Sequence, residues 1–273
     1  MAERSDIEWT DATFNPWWGC TKVSPACTNC YAAVLAPRYG HDVWGPKAAR
    51  RKLSDTHWRG PLGWNAKAKA AGERRRVFCA SMADVFEDRH DLDGERERLW
   101  TLIEQTPHLD WQLLTKRPQH ISDMVPWGEN WPTNVWIGTT VENQAMAKER
   151  LPHLVELPAA VRFISAEPLF SKLNLRRWIG DIDWVITGGE SGVRARVPNP
   201  AWFQNLRDQC IEAEVPFFFK QWGEWAPYRR KAGSDARIEQ ALDGTAMQRV
   251  GKKKAGRRLD RRIWSQYPVA RRR

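Results

Sequence analysis

No stretch of this sequence approaches the ~20 consecutive apolar residues that a membrane-spanning helix needs. The opening from Met1 to Trp9 also lacks the apolar centre of a secretory leader. Both absences lead to the expectation of a soluble, cytoplasmic protein. Cysteine is scarce, five in 273 residues. Nothing marks the chain for an oxidising compartment, which argues against a disulfide framework. No short repeat or low-complexity tract interrupts the chain before its basic end. Apolar residues make up 42%, enough to bury a core and to exclude disorder over most of the length. One large α/β barrel or two ordinary domains would fit.

The little cysteine there is falls mostly in one place. Cys20, Cys27 and Cys30 lie in the single run from Asn15 to Tyr31, which also contains Trp17, Trp18, Gly19, Ser24 and Pro25. An odd cluster of three thiols points to a metal or iron-sulfur centre. Thiolates bind soft and borderline metals strongly, and a Cys-x-x-Cys step lets two sulfurs reach one centre. The third returns through the Ser24-Pro25 turn. A closed zinc site wants four protein ligands, whereas a cubane cluster on three thiolates keeps one iron open for a small molecule. Zinc completed by His41 or another histidine stays open as an alternative, as does a disulfide with one thiol left over. Cys79, in an apolar strand-like run, and Cys210, in a helical one, read as buried core thiols.

The formal charge of +10 sits mostly at one end: Gly251 to Arg273 holds ten Lys or Arg and one Asp, leaving the body nearly neutral. Such an end releases counterions on meeting phosphates and suits a polyanionic partner, although charge runs are also simply solvated. Tryptophan is abundant, at seventeen. Trp17, Trp18, Trp44, Trp58, Trp64, Trp127, Trp131, Trp222 and Trp225 lie near expected loops, where rings serve as base-stacking platforms. Trp111, Trp136 and Trp184 lie in strand-like runs and read as structural.

One unit recurs along the chain, a short apolar run, a polar or glycine-containing turn, and a helix-length segment. The runs are Arg76 to Ser81, Trp111 to Thr115, Val135 to Thr139, Val161 to Ser165, Trp184 to Gly188 and Val215 to Lys220. Strands apolar at successive positions, each followed by a helix, predict a parallel sheet covered by helices. With a first strand near Ala12 to Trp17 the count is seven. The expected fold is a full or partial (β/α) barrel of about six to eight parallel strands, with an open doubly wound sheet as the rival. The expected organisation is one barrel-like domain over 1–250, a basic and aromatic insertion at 35–72, and a basic tail at 251–273. The insertion suits a nucleic-acid or lid surface, or an ordinary helical excursion. In such barrels the chemistry gathers at the carboxyl ends of strands. Those ends carry Ser81 and Asp84, Thr115, Lys116 and Arg117, Glu142, Ser165 and Glu167, Gly188, Gly189 and Glu190, and Lys220.

These stretches together resemble a phage and prophage family known for its three-cysteine motif, itself similar to a divergent branch of the radical S-adenosylmethionine (SAM) enzymes. The resemblance runs nearly end to end, through Ile7 to Thr13, the cysteine loop, Ser81 to Phe86, Leu114 to Pro118, Gly138 to Asn143, Ser165 to Leu169, Gly188 to Gly192, Phe217 to Gly223 and Lys253 to Arg257. It implies a partial barrel whose first loop holds a [4Fe-4S] cluster on Cys20, Cys27 and Cys30. SAM would occupy the fourth iron, and a 5′-deoxyadenosyl radical would take a hydrogen atom from the substrate. The spacing departs from the usual Cys-x3-Cys-x2-Cys: here the first gap is six residues, and the aromatic, Tyr31, follows the last cysteine rather than preceding it.

By position, the resemblance offers Tyr31, Ser81, Asp84, Thr115, Glu142, Ser165, Gly188, Gly189 and Glu190 to the cofactor, with Ser81 and Asp84 toward the methionine ammonium. Lys116, Glu167 and Lys220 are the candidate catalytic groups, with Lys116, Arg117 and Lys220 suited to a carboxylate or phosphate. Helix capping by Ser81 and Asp84 remains an alternative. The implied substrate is a nucleic acid or nucleotide, in modification or repair, with a partner protein encoded nearby as a further candidate. Two other classes compete: a zinc-stabilised, non-catalytic nucleic-acid-binding protein, and a hydrolase using Asp84, Glu142, Glu167 and Glu190 around a hard metal.

Overall fold

Strands buried on both faces need apolar side chains at every position rather than every second one. The runs that read so in the sequence are the strands of the fold. A computed structural model of the chain describes residues 2–228 and 237–269. Arg271 to Arg273, part of the expected basic tail, lie outside the described residues.

The main sheet holds seven strands: β1 (Ala12–Thr13), β4 (Arg75–Cys79), β5 (Leu109–Thr115), β6 (Val135–Thr140), β7 (Val161–Ala166), β8 (Trp184–Gly188) and β9 (Phe217–Gln221). They lie in that order, with β1 and β9 outermost, as a parallel half-barrel covered by helices. This is the partial form of the expected barrel. Every residue of β6, β7 and β8 is buried. A short pair stands apart from the main sheet: β2 (Trp17–Trp18) runs antiparallel to β3 (Arg51–Lys52). The first strand is therefore shorter than expected, ending at Thr13, and the cysteine loop leaves from β2.

By their contacts the described residues divide into two units: residues 2–139, 153–162 and 269, and residues 140–152, 163–228 and 237–268. In the first, helix α1 (Tyr31–Arg38) follows the cysteine loop and α2 (Asp55–Ala71) precedes β4. Helix α2 closes on Gly72 in the left-handed region, φ 67°, and turns Trp58 and Trp64 into the core. The distal part of the expected insertion is thus a packed helix. Helix α3 (Asp93–Gln105) joins β4 to β5, whereas only the one-turn α4 (Ile121–Met124) lies between β5 and β6.

In the second unit, α6 (Pro200–Glu212) starts with Asn199 accepting a hydrogen bond from the Ala201 N–H and with proline at its first position. Between β7 and β8 the expected helix is replaced by one 3-10 turn, Ile179–Asp181. There Leu169, Leu173, Leu175 and Trp178 enter the core directly from irregular backbone. A three-stranded sheet of β10 (Trp225–Pro227), β12 (Ala246–Arg249) and β11 (Ile238–Gln240) follows β9. The basic tail then folds back. Residues 264–266 pair with the outer edge of β9, through Phe219 N to Trp264 O at 3.1 Å and Gln266 N to Phe217 O at 3.2 Å. This covers an edge that would otherwise present unpaired backbone groups.

Candidate functional site

In the first unit the loops at the ends of β1, β2, β4 and β5 converge on the cysteine loop. Gly19, at φ +117°, makes the turn into it; a Cβ there would stand 2.3 Å from Val43 O, so only glycine fits. The Gly19 N–H donates to Met82 O at 2.9 Å, and Asn15 Oδ1 accepts from Met82 N at 2.7 Å. Asn15 also exchanges hydrogen bonds with the Ser81 hydroxyl. The Tyr31 hydroxyl donates to Ser81 O at 2.8 Å.

Cys20, Cys27 and Cys30 are all free thiols. Cys27 is buried at the end of a 3-10 turn begun by Pro25, with Ser24 Oγ 3.8 Å from its sulfur, and Cys30 is the N-cap of α1. Cys20 is the most firmly held. Arg117 Nη1 donates to its Sγ at 3.7 Å and to Asp84 Oδ2 at 2.8 Å, while Nη2 donates to Thr21 O at 2.8 Å. Burial, reinforced by the nearby Asp84 charge, pushes the Cys20 thiol up to about 12 against the opposing pull of Arg117. Burial works against the Arg117 charge, but Asp84 and its other neighbours outweigh that and raise the guanidinium above its ordinary range.

Arg117 also belongs to a buried chain of alternating charges. Its Nη2 is 3.9 Å from Glu87 Oε1, and Glu87 takes a two-pronged bond from Arg50, at 2.9 and 2.7 Å. Arg50 donates further to Val43 O, Gly45 O, Ala48 O and Thr21 Oγ1. Asp84 is fully engaged: Oδ1 accepts from Thr115 Oγ1 at 2.6 Å and Phe86 N at 3.1 Å, and Oδ2 from Lys116 N at 3.1 Å and Arg117. The two arginines meet at Thr21, Arg50 through its hydroxyl and Arg117 through its carbonyl, and so fix the residue after Cys20.

In the second unit the strand-end polar residues form ion pairs of their own. Glu142 is fully buried with Arg150, Nη1 to Oε2 2.9 Å, and the same nitrogen donates to Thr140 O at 2.8 Å. Glu167 receives the Ser165 hydroxyl at 3.3 Å and lies 3.3 Å from Lys220 Nζ, with both side chains partly reachable by solvent. Glu190 takes three bonds from Arg196, whose guanidinium lies 3.6 Å from the centre of the Phe170 ring. A Cβ on Gly189 would stand 2.0 Å from Trp222 O, so the turn after β8 packs directly on the backbone after β9. A Cβ on Gly188 would stand 3.0 Å from Glu167 Oε1.

The family model described as a protein of unknown function (DUF5131) matches residues 4–268. The chain belongs to that family. No curated protein matches it. Among solved structures, the DUF5131 chain is similar to a cysteine-to-serine variant of spore photoproduct lyase, at 12% identity and TM-score 0.46 over 93% of this chain and 72% of that one. It is also similar to a variant of that lyase with bound AdoMet and dinucleoside spore photoproduct, at 13% identity and TM-score 0.43 over 89% and 69%. At these scores the likeness says nothing of what the chain does.

Cys20, Cys27, Cys30, Tyr31, Ser81, Asp84, Thr115, Lys116 and Arg117 all fall in the first unit of the DUF5131 chain, where Cys20, Asp84, Thr115 and Arg117 are joined by hydrogen bonds. Glu142, Ser165, Glu167, Gly188, Gly189, Glu190 and Lys220 fall in the second, where Ser165, Glu167 and Lys220 form one group. Each strand-end carboxylate proposed as a hard-metal ligand has its own cation: Asp84 with Arg117, Glu142 with Arg150, Glu167 with Lys220, Glu190 with Arg196. Among the described residues no group of three or more His, Cys, Asp or Glu is drawn together to hold a metal ion, and no helix is long and apolar enough to cross a membrane. Of the nine loop tryptophans offered as stacking platforms, Trp17, Trp58, Trp64, Trp127, Trp222 and Trp225 are buried and belong to the core. Sequence reasoning missed Arg50 and Glu87, which carry no motif. It also missed Gln221, whose buried Oε1 has no partner while its Nε2 donates to Ser191 Oγ.

Proposed function

We propose that the chain is a cytoplasmic, phage-related enzyme of the radical SAM type, acting on a nucleic acid or nucleotide in its modification or repair. The observation that carries this reading is the setting of Cys20. One loop holds three free thiols, and the first has its sulfur against Arg117 and its neighbours pinned by a buried charge chain. Three thiols and a cationic donor aimed at one sulfur fit a thiolate-held iron-sulfur cluster by their chemistry. The residues assigned to hold it are Cys20, Cys27 and Cys30. When bound, the cluster and SAM supply the one-electron chemistry that breaks the sulfonium bond and takes a hydrogen atom from the substrate.

The chain's own residues orient and exclude. Arg117 and Asp84 fix the start of the loop, and Tyr31 ties its far end to Ser81. Ser81, Thr115 and Lys116 stand at the same strand ends and are assigned to the methionine part of SAM; Lys116 is the cation free to meet its carboxylate. Asp84 lends its charge through Arg117 and Thr115, since its oxygens are taken by the protein. In the second unit Ser165, Glu167 and Lys220 are the polar group proposed to meet the substrate, with Glu142, Gly188, Gly189 and Glu190 shaping the surrounding backbone. Glu167 and Lys220, 3.3 Å apart, suit the giving and taking of a proton. The pairing of every strand-end carboxylate with a cation speaks against the hard-metal hydrolase.

Anaerobic reconstitution with iron and sulfide tests the proposal. A brown protein absorbing near ~400 nm, which releases 5′-deoxyadenosine with dithionite and SAM, is the expected result. A colourless protein carrying one tight zinc would replace this reading with that of a zinc-stabilised, non-catalytic nucleic-acid binder.

A further inference from the structure

The segment that carries the thiols is also one-sidedly charged. From Phe14 to Ser54 the only acidic residue is Asp42, against Lys22, Arg38, Lys47, Arg50, Arg51 and Lys52. Arg50 is buried on Glu87, and Lys52 pairs with Glu95 at 3.5 Å. Arg38, Lys47 and Arg51 are exposed and meet no carboxylate among the described residues. Uncompensated cations on a folded face raise the local potential for an anion.

The same face exposes large rings. Tyr31, Val34 and Arg38 recur at helical spacing along the outward side of α1, and Tyr39 caps that helix. Tyr31, Val34 and Tyr39 are 55%, 54% and 62% exposed. The Tyr39 ring stands edge-on to Trp18 at 5.9 Å, His41 meets the same indole at 5.7 Å, and the Arg51 guanidinium lies 4.9 Å from the Trp18 ring centre. Trp18 thereby steadies Tyr39 while leaving most of the tyrosine in solvent. A rigid ring in water beside free cations is poor packing for a monomer surface and a good platform for a base with its phosphate.

We propose that this face of the first unit binds an unpaired strand of nucleic acid, with a base stacked on Tyr39 and phosphates at Arg38 and Arg51. The proposal rests on the reading of the substrate as nucleic acid and narrows it, because stacking on a tyrosine needs a base whose face is free, whereas a duplex offers only phosphates here. The strand would then lie on residues contiguous in sequence with the thiols, since Trp18 precedes Cys20 by two positions and Cys30 caps α1.

Fluorescence anisotropy of the full chain, purified without oxygen and with no SAM added, measures this directly. The probes are a labelled oligothymidylate and the same strand paired with its complement. The expected result is tighter binding of the single strand than of the duplex. Tyr39→Ala should weaken single-strand binding roughly tenfold with an unchanged melting temperature, and Tyr39→Phe should restore it. Arg38→Ala should weaken binding and flatten its dependence on salt by about one phosphate's worth. Equal affinity for strand and duplex, or a Tyr39→Ala variant that binds like the parent, would overturn the proposal. Because neither probe nor readout needs an iron-sulfur cluster, this outcome is independent of the reconstitution experiment.

Discussion

Arg117 is the side chain on which the thiol loop turns. One nitrogen serves both Asp84 and the Cys20 sulfur, and the other holds Thr21 O. Donors to a ligating sulfur orient it and stabilise its charge, and losing such a partner typically costs about 10- to 100-fold in metal affinity. Arg117→Gln should lower the affinity for cobalt(II), read by its thiolate charge-transfer band, by that factor; an unchanged titration would remove Arg117 from the site. Arg150 offers a comparable test of pure structure. Both it and Glu142 are buried, and breaking such a pair by deleting one partner costs about 3–5 kcal/mol. Arg150→Met should show that loss in urea unfolding, and a change of under about 1 kcal/mol would mean that the pair is not what holds this turn together.

At the scale of elements, most of the sheet was legible because parallel strands announce themselves. Val161 to Ala166 and Trp184 to Gly188 are mostly apolar on successive positions, and the structure buries every residue of both. The elements that were not legible lack such a period. Between β7 and β8 only the 3-10 turn Ile179–Asp181 forms, because Leu169, Leu173 and Leu175 reach the core from the irregular backbone before it, and β2 with β3 forms a two-residue ladder too short to leave a pattern. The glycine pair after β8 was visible but its physical purpose was not: the close neighbour of Gly189 is Trp222 O of the next turn. Gly189→Ala should therefore destabilise the fold by at least about 1–3 kcal/mol through overpacking. A variant as stable as the parent would show that the two turns can part. The charge chain through Arg50 and Glu87 joins residues 37 apart in sequence, and no local pattern marks such a pairing.

For the whole molecule, the basic end is part of the fold as well as a run of charge. The tail reads as a basic run, yet Leu259 and Trp264 within it are buried and its backbone closes the edge of β9. Apolar residues set among the arginines, Leu259 and Trp264 above all, were the sign. The carboxylates that serve the fold set its response to acid. Half-burial works to raise the Asp11 carboxyl, but the Arg76 side chain and backbone N–H outweigh it and hold the group below its ordinary 3.8. Because the folded value is the lower one, the unfolded chain takes up the proton first. The stabilisation is whole above 3.8 and is lost as pH falls through the folded value. The stability gap between the parent and Asp11→Asn should therefore be wide at about pH 6 and narrow by about pH 3 in urea unfolding; a gap that stays constant would show that the ion pair contributes nothing.

Cys20, Cys27 and Cys30 are proposed to hold an iron-sulfur cluster with one open iron. Iron and acid-labile sulfide determined on protein purified without oxygen, beside a variant with all three cysteines changed to alanine, test it most directly. About four of each per chain are expected in the parent and neither in the variant. Zinc without sulfide in the parent, or iron and sulfide retained in the variant, would contradict it.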